Sequence, residues 1–405
     1  MTVAAPPSTR CGIDTVEIPR IEKLLRETPA EDLGKLFSEQ ELADAGSGPG
    51  RAGSLAARFA AKEACCKLFP RETALGIIGP ADFSVRSDGY GAPHIEASEA
   101  ARAAMNRTFI GEIRLSLTHT EASASAVAVV EKRKFTPPWF GKLIYHVLPL
   151  RRDVVLKNMR RAFSTVLDDP EIVELAQCYY GHFGKCLLEF FQLPLMTPGQ
   201  KKKMIRIEGM ETAAQALAQG KGMLLLTGHF GNWEVATVAG IKQFTQFKGL
   251  FHFVRKPLQP EFFNKFVTWR FNQAGFGTIP SRGSLDAILD LLSNGQIVVF
   301  IYDQHATQRE GVPAEFLGTR ANTFRSLPII AMSTGSPVVP ATSWREPDGT
   351  HVLRFEEPVA TVDHEQTVEA VRLTATAFNK ALETALLRHP DQWIWMHQRW
   401  KLKGS

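Results

Sequence analysis

The chain has 405 residues, which is more than one compact core usually contains and favours two domains. Its apolar fraction of 44% and charged fraction of 22% are ordinary for globular proteins, and no uninterrupted apolar stretch approaches the roughly 18 residues that cross a bilayer. The net charge of +5 is uneven, because residues 1–133 carry 16 basic and 18 acidic residues whereas the remainder carries 31 and 24. The N-terminal MTVAAPPSTR also lacks the basic and apolar segments of a signal peptide, so we expect a cytoplasmic protein.

The predicted elements alternate between strands and helices along the chain. Apolar patterning predicts strands at 11–17, 113–118, 223–227, 297–301 and 338–341, and helices at 19–27, 54–69, 152–163, 211–219, 283–293 and 367–388. Paired prolines follow a charged EKRK segment in FTPPW, which is typical of a linker. We predict a disordered N-terminus at 1–10, a first domain at 11–132, a linker at 133–138 and a second domain at 139–401. The alternation in the second domain predicts an α/β fold with a mixed sheet flanked by helices.

Polar side chains in the first domain form a pattern spread over several segments. CGIDTVEIPRI places Asp14 on a strand, and IRLSLTHT ends a strand at His119. The helical segment SLAARFAAKEACCKLF places Arg58 and Lys62 at i and i+4, with Glu63 beside them. Each feature alone is weak, because a single Asp on a strand or Glu on a helix is usually a surface or capping group.

The segments GIDTVEIPRI and RFAAKEA, in this order and spacing, resemble the holo-acyl-carrier-protein synthase family, the small 4′-phosphopantetheinyl transferases. The resemblance covers most of residues 11–130 and implies an α+β fold. It also implies Mg²⁺-dependent transfer of 4′-phosphopantetheine from coenzyme A to a serine of acyl carrier protein. Because sites in this family are commonly shared between neighbouring subunits, a homotrimer formed through the first domain is a further expectation.

The same resemblance gives roles to individual residues. Asp14 and Glu63 match the family's metal ligands, and their hard oxygen atoms suit magnesium. Glu63 is also expected to accept the serine proton, directly or through water. The expected contacts with coenzyme A are Arg58, Lys62 and His119, and the expected contact with the acidic carrier protein is Arg20.

In the second domain, the stretch TGHFGNWE follows the apolar run MLLL. Gly228 and Gly231 permit a tight turn, so His229 would stand at the carboxyl end of a strand, where sites in α/β sheets usually lie. Glu234 is wrongly spaced for the same helical face, but across a turn its carboxylate could orient the imidazole as a general base. The pattern alone also suits an incidental turn with an acidic residue near a helix N-terminus.

HFGNWE resembles the signature of the bacterial lipid A biosynthesis acyltransferases, the lauroyl/myristoyl transferase family. Further matching blocks follow in family order across residues 137–401, among them RRDVVLKNMRRAF, FHFVRKP, RFNQAGFGTIP, AEFLGTRANT and HPDQWIWMHQRWK. The resemblance implies transfer of an acyl chain from acyl carrier protein to a (glyco)lipid hydroxyl, with His229 as the base and Glu234 orienting it.

Three further residues lie in matching blocks of the second domain. Arg255, Arg270 and Asp303 are expected to bind the acceptor's phosphates or the polar reaction centre, with structural salt bridges as the alternative. We also expect the glycine-rich turn to supply backbone N–H groups to the developing oxyanion.

Two basic clusters, RRDVVLKNMRR and KKKMIR, lack the aromatic interleaving expected of a nucleic-acid binder, so no nucleic-acid partner is predicted. They suit anionic phospholipid, an acidic protein or simply solvent. Relatives usually begin with an apolar anchor helix, whereas here the first domain takes that place and only Trp139–Leu150 remains. We therefore expect peripheral attachment to the inner face of the cytoplasmic membrane, with lipid A or a specialised lipid as acceptor.

The two domains are expected to share acyl carrier protein as a partner. One would load its phosphopantetheine arm, and the other would consume the acyl thioester on that arm, which makes a bifunctional enzyme the preferred hypothesis. In one alternative, the first domain only docks the carrier protein and the acyltransferase alone is active, on a specialised acceptor other than lipid A. In another, the second domain acylates a non-lipid acceptor or hydrolyses thioesters.

Overall fold

The structure is a computed structural model that describes residues 8–148, 150–232, 235–240, 247, 249–256 and 260–401, without the side chains of 72, 73, 238, 239, 263, 266 and 270. The chain divides into two compact units. Unit one contains the residues up to Lys134 together with Thr165–Leu167, and unit two contains Phe135–Ser164 and the residues from Asp168 onward.

Unit one has the α+β fold that the sequence predicts. Its five strands form one antiparallel sheet in the order β1-β5-β4-β3-β2. The elements are β1 (Thr9–Glu17), α1 (Ile18–Glu27), α2 (Ala30–Leu33), α3 (Glu39–Asp44), α4 (Arg51–Cys66), α5 (Arg71–Ala74), β2 (Phe83–Ser87), β3 (Pro93–Ala97), α6 (Glu99–Arg107), β4 (Ile110–His119) and β5 (Ser123–Lys132). The first strand thus begins inside the N-terminal segment predicted to be disordered.

Helix α4 packs against this sheet and contributes much of the core. The helix is rich in alanine, which has the highest helix propensity and whose small side chain permits close packing. The approach is closest at Gly12 of β1, where a Cβ atom would lie 2.0 Å from the carbonyl oxygen of Ala64. Only glycine fits there, and the contact brings the strand that carries Asp14 beside the helix that carries Glu63.

Unit two has a mixed sheet flanked by helices, which confirms the predicted α/β architecture. The elements are α7 (Trp139–Val147), α8 (Arg152–Phe163), α9 (Asp169–Gln192), α10 (Pro198–Lys203), β6 (Ile205–Glu208), α11 (Met210–Leu217), β7 (Met223–Thr227), β8 (Phe251–Arg255), α12 (Glu261–Ala274), β9 (Gly277–Pro280), α13 (Leu285–Ser293), β10 (Ile297–Ile301), β11 (Gly311–Phe316), β12 (Thr319–Phe324), α14 (Ser326–Thr334), β13 (Val338–Arg345), β14 (His351–Phe355) and α15 (Thr367–Arg388). A π-helical segment spans Val235–Gly240, and no helix in the described part of the chain is both long and apolar enough to cross a bilayer.

Seven strands of unit two form the sheet β6-β14-β13-β7-β10-β8-β9, and β11 and β12 form a separate hairpin. Strands β13 and β14 are antiparallel, and the other neighbours in the seven-stranded sheet are parallel. The central strands β7 and β10 read MLLLT and IVVFI, the continuous apolar runs typical of strands buried on both faces. Their register pairs Thr227 with Ile301, so the residues that follow these two strands emerge side by side at one edge of the sheet.

Candidate active sites

The side chains of His229 and Asp303 meet at the carboxyl edge of the second sheet. His229 follows β7 and Asp303 follows the neighbouring parallel strand β10, each two residues after the strand ends. Nδ1 of His229 lies 2.9 Å from Oδ1 of Asp303. This is the arrangement in which a carboxylate fixes the orientation and tautomer of a catalytic imidazole.

Asp303 is held rigidly behind the imidazole. Its side chain is 0% exposed, and its Oδ2 accepts hydrogen bonds from the backbone N–H of His229 at 2.7 Å and from Nε1 of Trp393 at 2.9 Å. A Cβ atom at Gly228 would lie 2.8 Å from the same oxygen, so the glycine makes room for the carboxylate.

The two side chains shift each other's pKa in the direction that general-base catalysis requires. Burial lowers the pKa of His229, but the charge and hydrogen bond of Asp303 outweigh burial and raise it above its ordinary value. Burial would raise the pKa of Asp303, yet the charge of His229 and the hydrogen bonds from His229 and Trp393 hold it at about 2. Asp303 is therefore ionised at neutral pH and accepts the Nδ1 proton, which leaves the lone pair of a neutral His229 on Nε2.

The turn after β7 is tied into the protein through its backbone. Its N–H groups at His229, Phe230 and Gly231 donate to the Asp303 carboxylate, the Gly228 carbonyl and the Gln392 carbonyl at 2.7, 3.0 and 2.8 Å, respectively. The expectation that this turn supplies N–H groups to an oxyanion is therefore wrong for these three donors, because each already has an internal acceptor.

His229 lies in the wall of a cavity of about 700 Å³, a volume within the range of small-molecule sites. Much of the wall is apolar, including Leu225, Phe253, Val267, Phe271, Val299, Phe300, Ile330 and Phe355. Among the described residues, the cationic side chains that line it are Arg255, Lys256, Arg309 and Arg325. A cavity with these surfaces can accommodate an apolar chain together with an anionic group.

The predicted acceptor-binding residues have different positions. Arg255 lines the cavity, and its guanidinium donates to Thr268 at 3.3 Å and also to Asn264. Asp303 lies in the polar reaction centre, which is one of its two predicted places. It does not line up as a ligand of acceptor phosphates, because it is buried and both carboxylate oxygens already accept hydrogen bonds from the protein. Glu234 lies outside the described residues, as does the side chain of Arg270.

In unit one, the two predicted magnesium ligands lie on adjacent packed elements, Asp14 on β1 and Glu63 on α4. Nζ of Lys67 donates to Oδ1 of Asp14 at 2.8 Å and to the Ile13 carbonyl at 2.7 Å, so the strand already presents its oxygen atoms to a cation. Two carboxylates are the hard oxygen donors that magnesium prefers, and the donor set therefore fits this ion.

Lys62 does not have the position expected of a coenzyme ligand. Its side chain is 1% exposed, and its Nζ lies 2.7 Å from Oε2 of Glu41 and donates to the Leu36 carbonyl at 2.8 Å. Burial lowers the pKa of Lys62 despite the opposing effect of Glu41. The predicted contact of Lys62 with coenzyme A is wrong for this conformation, because the ammonium group is enclosed in the core of unit one.

The remaining predicted contacts of unit one lie nearer the surface. Arg58 is partly buried, donates to the Ser54 carbonyl at 3.3 Å and lies 3.9 Å from Asp44. His119, at the end of β4, and Arg20, on α1, are exposed. Their roles toward coenzyme A and carrier protein stay predictions.

Comparison with known proteins gives this geometry a family context. The family model of bacterial lipid A biosynthesis acyltransferases matches residues 131–402, and that of the 4′-phosphopantetheinyl transferase superfamily matches residues 10–127. The holo-[acyl-carrier-protein] synthase of Treponema denticola is 40% identical over 121 residues, which are 30% of this chain and 95% of that protein. The chain belongs to both transferase families.

The acyltransferase part is similar to enzymes with two different named acceptors. A phosphatidylinositol mannoside acyltransferase of Mycolicibacterium smegmatis is 24% identical over 50% of this chain and 67% of its own length. The lipid A biosynthesis lauroyltransferase of Escherichia coli is 23% identical over 65% of this chain and 83% of its own length. Among solved structures, the holo-[acyl-carrier-protein] synthase of Helicobacter pylori in complex with coenzyme A is 27% identical and covers 30% of this chain and 100% of its own, with a TM-score of 0.26.

Two residues of these transferase sites were not predicted from the sequence. Trp393 donates to Asp303 from the block HPDQWIWMHQRW, where nothing in the residue pattern of three closely spaced tryptophans indicates a hydrogen bond. Lys67 follows Glu63 by one helical turn, and that i, i+4 spacing is a signal that could have identified it.

Proposed function

We propose that unit two transfers an acyl chain from acyl carrier protein to a lipid hydroxyl, and that the His229–Asp303 pair supplies the base. Nε2 of His229 takes the proton of the acceptor hydroxyl as its oxygen attacks the thioester carbonyl. Asp303 stabilises the imidazolium that forms. The carbon–sulfur bond then breaks, the new ester is released, and the departing thiolate takes the proton back from His229. The single observation that carries this proposal is the 2.9 Å contact between the two side chains at the cavity wall.

The cavity supports an acceptor that contains both acyl chains and an anionic headgroup. Its apolar wall suits a hydrocarbon chain, and its arginine and lysine side chains suit phosphate. The relatives' names include both a phosphatidylinositol mannoside and lipid A. We therefore propose a phosphate-bearing glycolipid as the acceptor class.

We propose that unit one transfers 4′-phosphopantetheine from coenzyme A to a serine of acyl carrier protein. Asp14 and Glu63 would hold magnesium, which supplies charge neutralisation at the transferring phosphate. No cluster of three or more His, Cys, Asp or Glu side chains in the described residues is placed to hold a metal, so Asp14 and Glu63 are the protein ligands that this proposal assigns. Glu63 would also accept the serine proton. A homotrimer formed through this unit stays a prediction.

Replacing either carboxylate tests the loading activity. We expect Asp14→Asn and Glu63→Gln each to abolish Mg²⁺-dependent loading of apo-carrier protein, because each removes one of two protein ligands to the ion. Loading is measured as the mass increase of the carrier protein with coenzyme A and magnesium. Glu22→Gln, an exposed carboxylate on α1, is the matched control and is expected to load normally. If the wild-type chain binds carrier protein without loading it, unit one is a docking module instead.

We propose that unit two attaches to an anionic membrane through α7 and the end of α9. On α7, Trp139, Leu143 and Val147 recur every fourth residue and are 76%, 52% and 70% exposed. On α9 and just beyond it, Leu188, Phe191 and Leu195 are exposed at spacings of three and four.

The two helices that carry these apolar stripes pack closely against each other. A Cβ atom at Gly141 would lie 3.0 Å from Cα of Gly181, and one at Gly184 would lie 2.7 Å from Cδ1 of Ile144, so the helices run side by side in the same direction. The basic helix α10, PGQKKK, follows closely in the sequence. Exposed apolar stripes that are followed in the sequence by lysines are the composition of a membrane-surface segment.

Vesicle flotation tests the attachment. We expect wild-type protein to float with vesicles that contain anionic phospholipid, and the Phe191→Ser/Leu195→Ser variant to float less, because it removes two exposed apolar anchors. Val368→Ser removes another highly exposed apolar side chain, on α15, and is expected to float like the wild type. Equal flotation of both variants would count against this surface.

A further inference from the structure

A partly buried acidic side chain, that of Glu189 near the end of α9, contacts three separate parts of unit two. Its Oε2 accepts from Nδ2 of Asn232 at 2.7 Å. Its Oε1 accepts from Nε of Arg345 at 3.1 Å and from Nε2 of His351 at 3.2 Å. A second guanidinium nitrogen of Arg345 also contacts Oε2. The carboxylate thus joins α9 to the turn after β7 and to the adjoining ends of β13 and β14.

Asn232 links this carboxylate to the turn that carries His229. It lies three residues after His229 and is 5% exposed. Its Oδ1 accepts from the backbone N–H of Val235 at 3.3 Å while its Nδ2 donates to Glu189. Both ends of the carboxamide are engaged, so Asn232 is held between Glu189 and the backbone of Val235.

The same face of α9 holds the turn at a second point. His182 lies seven residues before Glu189, and its Nδ1 accepts from Arg345 at 3.1 Å. Burial, with the charge of Arg345, lowers the pKa of His182 to about 3, so the ring is neutral and carries its proton on Nε2. That nitrogen lies 3.2 Å from the carbonyl oxygen of Gly231 and donates to it.

We propose that Glu189 is a positioning residue for acyl transfer, which holds the backbone of the catalytic turn through Asn232 and, through Arg345 and His182, the carbonyl of Gly231. Asp303 holds the imidazole of His229 itself, whereas Glu189 holds the backbone of the turn that carries the imidazole. The proposal rests on acyl transfer as the function of unit two. Replacing a group that orients a catalytic residue typically lowers the reaction rate by about 10- to 100-fold.

Glu189 also neutralises the buried Arg345. A variant that loses Glu189 can therefore lose activity because the fold is destabilised and not because the turn is misplaced. Glu189→Gln alone leaves that guanidinium without its carboxylate and can destabilise the fold. The Glu189→Leu/Arg345→Met variant removes both charges together with the oxygen atom that accepts from Asn232. Asn232→Ala removes the neutral link to the turn and leaves both charges in place.

The test compares these variants in acyl transfer from lauroyl-carrier protein to vesicles containing either a lipid A precursor or phosphatidylinositol mannoside. We expect Asn232→Ala and the stable double variant each to lower kcat about 10- to 100-fold, with KM for the acyl donor changed little. Combining Asn232→Ala with the double variant is expected to cause no further loss, because the same link is already broken. Glu208→Gln breaks comparable contacts to Arg354 and Arg206 on the same sheet, and is expected to leave kcat unchanged.

The proposal is overturned if the double variant and Asn232→Ala both turn over at the wild-type kcat. It is also overturned if kcat falls only in proportion to the fraction of folded protein, as melting curves would show. Absence of acyl transfer by the wild-type chain with either acceptor would instead contradict the proposed function, so the two failures are distinguishable.

Discussion

Asp303→Asn is expected to lower the rate of acyl transfer by about 10³- to 10⁴-fold while phosphopantetheine loading is retained. The asparagine amide can donate to Nδ1 of His229, which favours the tautomer that carries its proton on Nε2. That tautomer cannot accept a proton from the acceptor hydroxyl. The rate is measured with acyl-carrier protein and acceptor vesicles at saturating concentrations of both.

The pH profile shows whether the loss arises from the pair. A base acts only when deprotonated, so wild-type kcat/KM is expected to rise with pH through a His229 pKa above its ordinary value. In Asp303→Asn the carboxylate no longer raises the pKa of His229, and burial still lowers it. The inflection in kcat/KM is therefore expected at lower pH than in the wild type. Glu234→Gln is the comparison, because the sequence predicted that Glu234 orients the base. A larger loss in Glu234→Gln than in Asp303→Asn would contradict the role given to Asp303.

Lys62→Met is expected to destabilise unit one by about 3–5 kcal/mol, because it leaves the buried carboxylate of Glu41 without a cationic partner. Glu41 is 0% exposed, and it also accepts from the backbone N–H groups of Ser38 and Val85 at 2.8 and 2.9 Å. Hydrogen exchange of the full chain, followed by mass spectrometry, measures this unit separately. Exchange of the most protected amides of α4 and β2 is expected to accelerate about a hundredfold or more.

Two controls make that result specific. Glu41→Gln/Lys62→Met removes both charges, and is expected to recover most of the lost protection. Lys35→Met breaks an exposed ion pair with Asp32 at 2.6 Å, and is expected to change stability by less than about 1 kcal/mol. Unchanged exchange in Lys62→Met, together with a raised KM for coenzyme A, would show that the lysine is a substrate ligand after all.

The sequence was most informative where chemistry and local structure coincide. An apolar run followed by a glycine-rich turn placed His229 at a strand end, and the structure shows it there. Its carboxylate partner could not be assigned in the same way. Asp303 is distant in the chain and becomes a neighbour only because β7 and β10 are adjacent and parallel, a strand order that residue patterns do not determine.

Lys62 shows a different limit of reasoning from spacing. Adjacent helical residues point about 100° apart, so Lys62 and Glu63 leave the helix in different directions. Which of them faces the core depends on how α3 and β2 pack around Glu41. No sequence motif marks Glu41 as the partner of Lys62. The expected oxyanion donors failed for a related reason. Whether a backbone N–H group in a turn is available depends on acceptors from distant segments, such as the carbonyl of Gln392.

The most direct test of two separate transferase activities in one chain is to assay purified wild type and His229→Ala side by side. Each preparation is given apo-carrier protein with coenzyme A and magnesium, and separately acyl-carrier protein with acceptor vesicles. His229→Ala is expected to load carrier protein at the wild-type rate and to transfer no measurable acyl chain. Acyl transfer that survives in His229→Ala, or a wild-type chain that performs neither reaction, would contradict this account.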